Sequence, residues 1–157
     1  MNVTIFANID SIPSSAFYSC YNLASISLPS TIKSIGANAF YDCQKLTEID
    51  IPEGVNYIGD HSFAYCYELS KVTLPSTLSV IDVGAFKGCY ALETIIIPEN
   101  VSTINQEAFS SCGKLSIYCE TLSKPEDWNE NWNISNRPVY FGESWSYNEN
   151  NVPTPNE

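Results

Sequence analysis

The sequence predicts an α/β repeat solenoid, a right-handed coil of 23-residue repeats with a parallel sheet on one face. Two observations support this fold class. Cysteine recurs five times at intervals of 23 residues, and phenylalanine, leucine and proline recur at the same interval. A fixed period of about 20 to 50 residues marks a stack of small units, none of which can bury its apolar face alone. The five cysteines are Cys20, Cys43, Cys66, Cys89 and Cys112.

Each repeat opens with a short strand. Its spacing is leucine, two residues, an aliphatic residue, one residue and a second aliphatic residue, as in Leu46, Ile49 and Ile51. The last two aliphatic residues alternate with polar ones, which is typical of a strand with one buried face. Proline, here Pro52, ends the strand because it cannot donate a ladder hydrogen bond. We predict strands of one parallel sheet at residues 3–5, 25–28, 48–51, 71–74, 94–97 and 117–119.

The remainder of each repeat returns the chain to the next strand. A second apolar pair, such as Val55 and Ile58, forms the return leg. Alanine and phenylalanine then enter a predicted short helical turn that runs through the cysteine to the next leucine. Spacings of three and four residues place phenylalanine, cysteine and leucine on one inner face of that turn.

The repeat pattern weakens after Leu115. Tyr118 keeps the inward strand position by the 23-residue count, which leaves Ile117 among the outward residues. The strand at residues 3–5 means that the chain starts inside a repeat, and an uncapped strand edge there predicts preceding repeats or self-association. The expected organisation is repeats at residues 1–118 with the first repeat partial, a C-terminal cap at 119–142 and a flexible tail or linker at 143–157.

The predicted cap is a helix followed by a strand. Ser123 and Glu126 have the spacing of a capping box at a helix start. Trp128 and Trp132 lie four residues apart on that helix, so both rings can cover the last coil. A final strand is expected at residues 139–141.

The repeat motif resembles the BspA-like, or Treponema pallidum-type, class of leucine-rich repeat proteins. The matching pattern is alanine-phenylalanine, a cysteine three residues on, a leucine three further, and isoleucine-x-isoleucine-proline, over residues 9–118. The commonest leucine-rich consensus has an asparagine after the strand, whereas this chain has Thr31, Gly54, Thr77 and Asn100 there. The resemblance implies a surface or secreted protein of a host-associated microbe with a role in adhesion.

Composition narrows the classes of partner. The formal net charge of −11 repels nucleic acid and anionic membranes, so neither is an expected partner. The sequence has no apolar run of the roughly 20 residues that span a bilayer, and no export signal follows Met1. The protein is therefore expected to be cytoplasmic, or else a piece of a longer exported chain.

The cysteines are expected to form a buried thiol ladder. Residues of one column have parallel Cα–Cβ bonds, which fit disulfide geometry poorly, although disulfides remain the alternative. Cys119 lies outside the column and is the cysteine expected to be exposed. No metal, cofactor or catalytic group is predicted, because His61 is the only histidine and a column of cysteines does not converge tetrahedrally.

Exposed columns are the candidate binding surfaces. One follows the cysteines and carries tyrosines, which supply stiff amphipathic contact area. The other is the polar face of the strands. The first set is Tyr18, Tyr21, Tyr41, Tyr67 and Tyr90, with Tyr65 nearby, and the second is Glu48, Asp50, Lys71 and Thr73. The alternative for the tyrosines is that their rings only cover the seams between coils.

These features predict a non-enzymatic domain that binds a protein or glycan. Two alternatives remain open, a rigid spacer that displays a neighbouring domain and a carbohydrate-binding accessory module. The family resemblance favours a cell-surface or secreted location.

Overall fold

The computed structural model describes residues 1–6 and 8–156. They form a solenoid of stacked coils in which parallel strands recur in step with the 23-residue period, as the sequence predicted. The strands are β1 (Asn2–Thr4), β2 (Ser11–Ile12), β3 (Ser25–Ser27), β4 (Ser34–Ile35), β5 (Glu48–Asp50), β6 (Tyr57–Ile58), β7 (Lys71–Thr73), β8 (Val80–Ile81), β9 (Thr94–Ile97), β10 (Thr103–Ile104), β11 (Ser116–Cys119), β12 (Val139–Phe141), β13 (Trp145–Tyr147) and β14 (Pro153–Pro155).

One face of the solenoid, the front face, carries strands β1, β3, β5, β7, β9, β11 and β12. Inward residues pair across it, as Val3 does with Ile26 and Ile49 with Val72. The hydrogen-bonded ladder is divided into three groups, β1–β3, β5–β7 and β9–β11–β12. Strands on the two sides of each division remain in contact. The predicted strands of the front face and the predicted final strand are confirmed.

The return legs form a second parallel sheet, which the sequence analysis did not predict. Its order is β10-β8-β6-β4-β2, and each strand has two residues. The second residue is an isoleucine that is 0–1% exposed in every coil. These isoleucines are Ile12, Ile35, Ile58, Ile81 and Ile104.

The predicted helical turns are wrong. In the segments that carry the phenylalanines (13–22, 36–45, 59–68, 82–91 and 105–114), the backbone forms a series of tight turns. Every second N–H group donates a hydrogen bond to a neighbouring coil rather than within its own segment. The N–H groups of Ser15, Phe17 and Ser19 donate to carbonyl oxygens of the following coil at 2.9, 2.7 and 2.8 Å. In an α-helix these N–H groups would instead donate to carbonyl oxygens four residues earlier in the same segment. The inter-coil hydrogen bonds therefore replace the helix.

Left-handed residues also exclude a helix from these turn segments. Two positions per coil, four residues apart, have φ between 51° and 73°. A residue with a side chain is strained there by about 1 to 2 kcal/mol, whereas glycine is not. Glycine fills both positions in only one coil. The pairs are Ser15 and Ser19, Asn38 and Asp42, His61 and Tyr65, Gly84 and Gly88, and Glu107 and Ser111.

The core is a set of columns, of which the phenylalanine column is the longest aromatic one. Adjacent rings stack face to face with centroids 5.1–5.7 Å apart and interplanar angles of 1–7°. Four cysteine thiols lie beside it, and each donates to the carbonyl oxygen of the phenylalanine one coil back, as Cys43 Sγ does to Phe17 at 3.1 Å. The rings are those of Phe17, Phe40, Phe63, Phe86 and Phe109.

Threonine supplies inter-coil hydrogen bonds at two of the positions where the common leucine-rich consensus has asparagine. Thr31 Oγ1 donates to the carbonyl oxygen of Ile9 at 2.8 Å, and Thr77 Oγ1 donates to that of Val55 at 2.9 Å. The backbone N–H of Gly54 donates to Thr77 Oγ1 in turn. Hydroxyl groups thus satisfy backbone carbonyls that would otherwise lack a partner at the turn after the strand.

The cap closes the phenylalanine column with two tryptophans. Trp132 meets Phe109 at an interplanar angle of 84°, and Trp128 packs against Trp132 with its Nε1 donating to the Val101 carbonyl oxygen at 3.0 Å. Both tryptophans are buried, Trp128 at 1% exposure and Trp132 at 5%. The predicted coverage of the last coil is confirmed.

The cap helix and its capping box are wrong. Ser123 and Glu126 lie in bends and turns, and the described residues contain no helix between them and β12. Asn129 N donates to the Ile104 carbonyl oxygen at 2.8 Å, and the Asn131 carbonyl oxygen accepts from Glu107 N at 3.0 Å. The backbone of the cap therefore forms hydrogen bonds with the last coil, as the backbone of a further repeat would.

The last strand of the solenoid is shifted by one residue from the 23-residue count. Ile117 pairs with Ile95 and is fully buried, and Tyr118 pairs with Ile96 on the outward side. The expectation that Ile117 faces outward and Tyr118 inward is therefore wrong. A one-residue shift exchanges the two faces of a strand, and here it places the aliphatic side chain in the core.

Residues 143–156, expected to be a tail or linker, instead form an ordered hairpin. After a 3-10 turn at Gly142–Ser144, strands β13 and β14 pair antiparallel, with Tyr147 opposite Pro153. Asn148 Oδ1 accepts from the backbone N–H groups of Asn150 and Val152 and so holds the loop. Trp145 Nε1 donates to the Cys119 carbonyl oxygen at 3.0 Å, which ties the hairpin to the solenoid.

We expect Trp128→Ala to destabilise the fold by about 3 to 5 kcal/mol, because it opens a cavity over the last coil. Trp128→Phe should cost less, since it keeps most of the ring and loses the hydrogen bond to Val101. Chemical denaturation followed by circular dichroism measures both. An alanine variant as stable as the parent would show that the ring is not needed to close the stack.

We expect Ser111→Gly to stabilise the protein by about 0.5 to 1 kcal/mol. The change relieves left-handed strain of about 1 to 2 kcal/mol and adds a glycine entropy cost of about 0.5 to 1 kcal/mol. Gly88 already occupies the same position one coil earlier. The matched control is Ser110→Gly, which lacks the positive φ and should be destabilising by thermal or chemical denaturation. Equal effects of the two substitutions would contradict the strain argument.

Candidate binding surfaces

Five tyrosines form a continuous row on the turn segments, which we call the tyrosine row. Tyr18 stacks on Tyr41 at 4.9 Å, and Tyr67 stacks on Tyr90 at 5.3 Å, with interplanar angles of 2° and 1°. Tyr65 joins the two pairs through edge contacts with Tyr41 at 5.3 Å and Tyr67 at 6.2 Å. The structure thus brings together four of the tyrosines selected from the sequence, with Tyr65 as the link.

Glycine makes room for the linking ring. Tyr65 is left-handed, with φ of 62°, and its ring lies over Gly88 of the next coil. A Cβ at position 88 would lie 2.7 Å from Tyr65 Cδ1, which is too close for a real contact. Gly88 was the sequence signal for the role of Tyr65, because the other repeats have a larger residue at that position.

The row is amphipathic. Tyr18 and Tyr90 are 52% and 51% exposed and Tyr67 is 37% exposed, whereas Tyr41 is partly covered. Partial burial, followed by the neighbouring phenols, raises the pKa of Tyr41, and burial and Asp42 raise that of Tyr67. The hydroxyls of Tyr41 and Tyr67 therefore stay neutral at physiological pH and can both donate and accept hydrogen bonds.

Tyr21 stands apart from the row. It is 51% exposed, and no ring stacks with it among residues 1–6 and 8–156. The structure therefore places this candidate on the surface without joining it to the other tyrosines.

The second set of candidates lies on the front face. Glu48 pairs with Lys71 and Asp50 with Thr73 in the register of β5 and β7. Thr73 Oγ1 donates to Asp50 Oδ1 at 2.6 Å. All four residues are outward. Glu48 and Asp50 border a shallow groove of about 310 Å³.

A further groove was missed by the sequence analysis. It has a volume of about 400 Å³ and lies between the front face and the C-terminal hairpin. Lys71, Thr73, Thr94 and Ile96 are among its floor residues, and the hairpin contributes its wall. The wall residues are Tyr147, Asn151 and Pro153. The available signal was Ile96, an outward apolar side chain of the front face that needs a cover.

The structure buries five of the six cysteines in the core. All six cysteines are free, and Cys119, expected to be exposed, is fully buried because β11 is followed by β12 and the hairpin. Cys20 at the open end of the column is the partly exposed one. Burial raises the pKa of Cys43 and Cys119 to about 12 and that of Cys112 to about 11, and it raises those of Cys66 and Cys89 well above the usual value.

The single histidine is tied to its neighbour. His61 Nδ1 contacts the carboxylate of Asp60, and its ring lies over Gly84 of the next coil. Residues 1–6 and 8–156 contain no cluster of three or more histidine, cysteine, aspartate or glutamate side chains that could hold a metal ion. The same residues include no helix long and apolar enough to cross a bilayer.

The repeat geometry defines the class of protein: a leucine-rich repeat solenoid whose invariant residues face inward. The chain belongs to the family described as the BspA type leucine rich repeat region, which matches residues 1–116 in six copies. Among curated proteins, none matches the chain.

Three solved structures are similar to this chain. A leucine-rich repeat protein from Bacteroides ovatus is 37% identical over 82% of this chain, with a TM-score of 0.72. A leucine rich cell surface protein from Faecalibacterium prausnitzii is 31% identical over 98% of this chain, with a TM-score of 0.71. The T. pallidum leucine-rich repeat protein is 33% identical over 74%, with a TM-score of 0.72. This chain covers 35%, 38% and 57% of those chains, respectively.

The buried thiols predict loss of stability at alkaline pH. Unfolded thiols ionise near the reference pKa of 9.0, whereas the five buried thiols keep their protons to higher pH. The stability they contribute is therefore fully present below about pH 9 and is lost as the pH rises, by about 1.4 kcal/mol per pH unit for each thiol.

Urea denaturation under reducing conditions at pH 8, 9 and 10 measures this slope. Cys66→Ala is the matched variant and should reduce the loss of stability between pH 9 and 10 by about 1 kcal/mol, because the full slope is reached only above the pKa of the unfolded thiol. A slope unchanged by that substitution would mean that other groups control the alkaline limb.

Proposed function

We propose that this protein is a non-enzymatic binding module that holds a protein partner through the tyrosine row. The observation that carries the proposal is the continuity of the row: five rings in contact, three of them more than a third exposed, on one flank of a rigid stack. Preordered aromatic side chains lose little conformational freedom on binding, which is why tyrosine is enriched at protein interfaces.

The stacking favours a protein over a glycan at this surface. In the pairs Tyr18–Tyr41 and Tyr67–Tyr90 the ring faces cover each other. A sugar ring stacks on an open aromatic face, whereas in each pair one face of every ring is occupied by its partner. Edges and hydroxyls suit the side chains and backbone groups of a protein surface, which offer apolar contact and hydrogen-bond partners together.

The charge of the chain favours a basic or neutral partner. The formal net charge is −11, and Asp42 and Glu107 lie on the turn segments near the row. Glu107 is paired with Lys87 at 2.6 Å, whereas Asp42 accepts a hydrogen bond from Gln44 Nε2 at 2.9 Å and has no ion-pair partner among the described residues. An acidic field of this kind steers basic partners and raises their association rate.

A cell-surface location is part of the proposal. It is supported by the family and by the description of the Faecalibacterium relative as a cell surface protein. Adhesion to host matrix proteins or to other cells is the corresponding role. Self-association through the edge of β1, which pairs with β3 among the described residues, would present several copies of the row together.

A rigid spacer is the second candidate function. The uninterrupted phenylalanine column, with centroid separations of 5.1–5.7 Å, favours it because a stack without gaps resists bending. In that case the tyrosines only cover the seams between coils, and removal of their hydroxyls would affect no property other than the fold.

We expect the double variant Tyr67→Ala, Tyr90→Ala to lose about 1 to 2 kcal/mol of binding free energy per residue if both are anchors. Binding is measured by biolayer interferometry against a panel of purified extracellular-matrix proteins. Tyr67→Phe, Tyr90→Phe is the matched control, since it keeps the stacked rings and tests the hydroxyls alone.

Salt dependence separates the two candidate surfaces. Binding through the tyrosine row should change little with added salt, whereas binding through Glu48 and Asp50 should weaken, because exposed charges are screened over about 8 Å at physiological ionic strength. If a matrix protein binds and neither the tyrosine variants nor Glu48→Lys, Asp50→Lys changes its affinity, both surfaces are excluded and the spacer function is favoured.

A further inference from the structure

The groove between the front face and the hairpin has the form of a ligand site. Its volume of about 400 Å³ falls within the range of about 300 to 1,000 Å³ found for small-molecule pockets. It is separate from the tyrosine row, since none of the five tyrosines of the row lines it. The floor is rigid because β7 and β9 belong to the solenoid, and the wall is fixed by the Trp145 hydrogen bond to Cys119.

The floor follows one of the two divisions of the front ladder. Strands β7 and β9 lie side by side but are not hydrogen-bonded, and no backbone hydrogen bond joins residues 71–74 to 94–97. The neighbouring pairs β5–β7 and β9–β11 have regular ladders. The groove thus opens where the sheet is split, so backbone groups along its floor are left for solvent or a ligand.

Three polar side chains that line the groove have no hydrogen-bond partner among the described residues. These are the ammonium group of Lys71, the hydroxyl of Thr94 and the side-chain amide of Asn151. Two other lining groups are already used: Thr73 Oγ1 donates to Asp50, and Glu120 accepts from the backbone N–H of Glu99. The groove therefore has donors and acceptors that are available to a ligand.

An aromatic ring stands beside these polar groups. Tyr147 is 51% exposed, and its ring contact with Trp145, at 5.5 Å and 75°, is T-shaped. Such a contact covers at most one face of the tyrosine ring. Ile96 on the floor adds an apolar contact.

We propose that this groove binds a short oligosaccharide. A pyranose ring has an apolar C–H face that packs on an aromatic ring, and hydroxyls at its rim that both donate and accept hydrogen bonds. Tyr147 and Ile96 match the first feature, and Thr94, Asn151 and Lys71 match the second. An anionic ligand such as a phosphate is disfavoured, because Lys71 is the one cation among the lining residues and the carboxylate of Glu120 also lines the groove.

A protein side chain is a poorer occupant. Anchor residues of protein interfaces fill well-packed, desolvated apolar pockets, whereas this groove is open and half polar. The proposal adds a glycan site to a module whose protein site is elsewhere, so either can fail without the other.

Nuclear magnetic resonance provides the test. The ¹⁵N-labelled full chain is titrated with triacetylchitotriose, maltotriose and mannotriose up to about 20 mM, which detects millimolar affinity. We expect one sugar to bind at least about tenfold more tightly than the others and to shift the indole signal of Trp145. The indole signals of Trp128 and Trp132, which are buried in the cap, should not shift.

Three variants locate the site. Tyr147→Ala should weaken binding about tenfold or more, and Thr94→Val and Asn151→Gly should each weaken it by about three- to tenfold. Thr94→Val conserves shape in a strand, and Asn151→Gly suits the positive φ of 59° at that position. Unchanged Trp128 and Trp132 signals show that each variant is folded. Tyr67→Ala, Tyr90→Ala is the control and should leave sugar binding unaltered.

Three outcomes would overturn the proposal. The first is the absence of shifts with all three sugars. The second is equally weak shifts with all of them, which indicates non-specific contact. The third is binding that survives all three groove variants, or that is lost with the tyrosine-row control. Loss of protein binding in the tyrosine variants, by contrast, bears only on the protein site.

Discussion

The spacing of about 5 Å between coils is the constraint on which the structure depends. Five phenylalanine rings repeat at 5.1–5.7 Å, and tyrosine pairs on the outside repeat at 4.9 and 5.3 Å. At this distance a side chain touches its counterpart one coil away. The residue at one position therefore constrains the residues at the same position in the neighbouring coils. Gly88 shows the consequence: the ring of Tyr65 needs the space that a Cβ would fill.

The backbone obeys the same spacing. In the turn segments, alternate N–H groups donate to the next coil, and the cysteine thiols and threonine hydroxyls donate to carbonyl oxygens one coil back. Because the coil must present these groups at regular intervals, its turn segments contain left-handed residues, although a helix would have less backbone strain. Surface positions carry no such demand, which leaves them free to differ between coils and to form sites.

Periodic features were predictable from the sequence, and local departures were not. The strands of the front face and the role of Trp128 and Trp132 followed from the repeat and from its end. The helical turns were wrong because the count of three and four residues cannot distinguish a helix from turns linked to a neighbouring coil. The shift at Ile117 and the burial of Cys119 depend on a single residue missing from the last repeat, where periodicity no longer guides. The hairpin was hidden by its composition, although the outward apolar residue Ile96 required a cover.

The ring of Trp132 stands at 84° to Phe109, and this one angle makes the stack directional. A parallel ring could receive another ring, whereas an edge-on ring offers no matching face. Gene duplication can therefore lengthen such a protein by whole 23-residue steps on the other side of the tryptophan, while the same cap is kept.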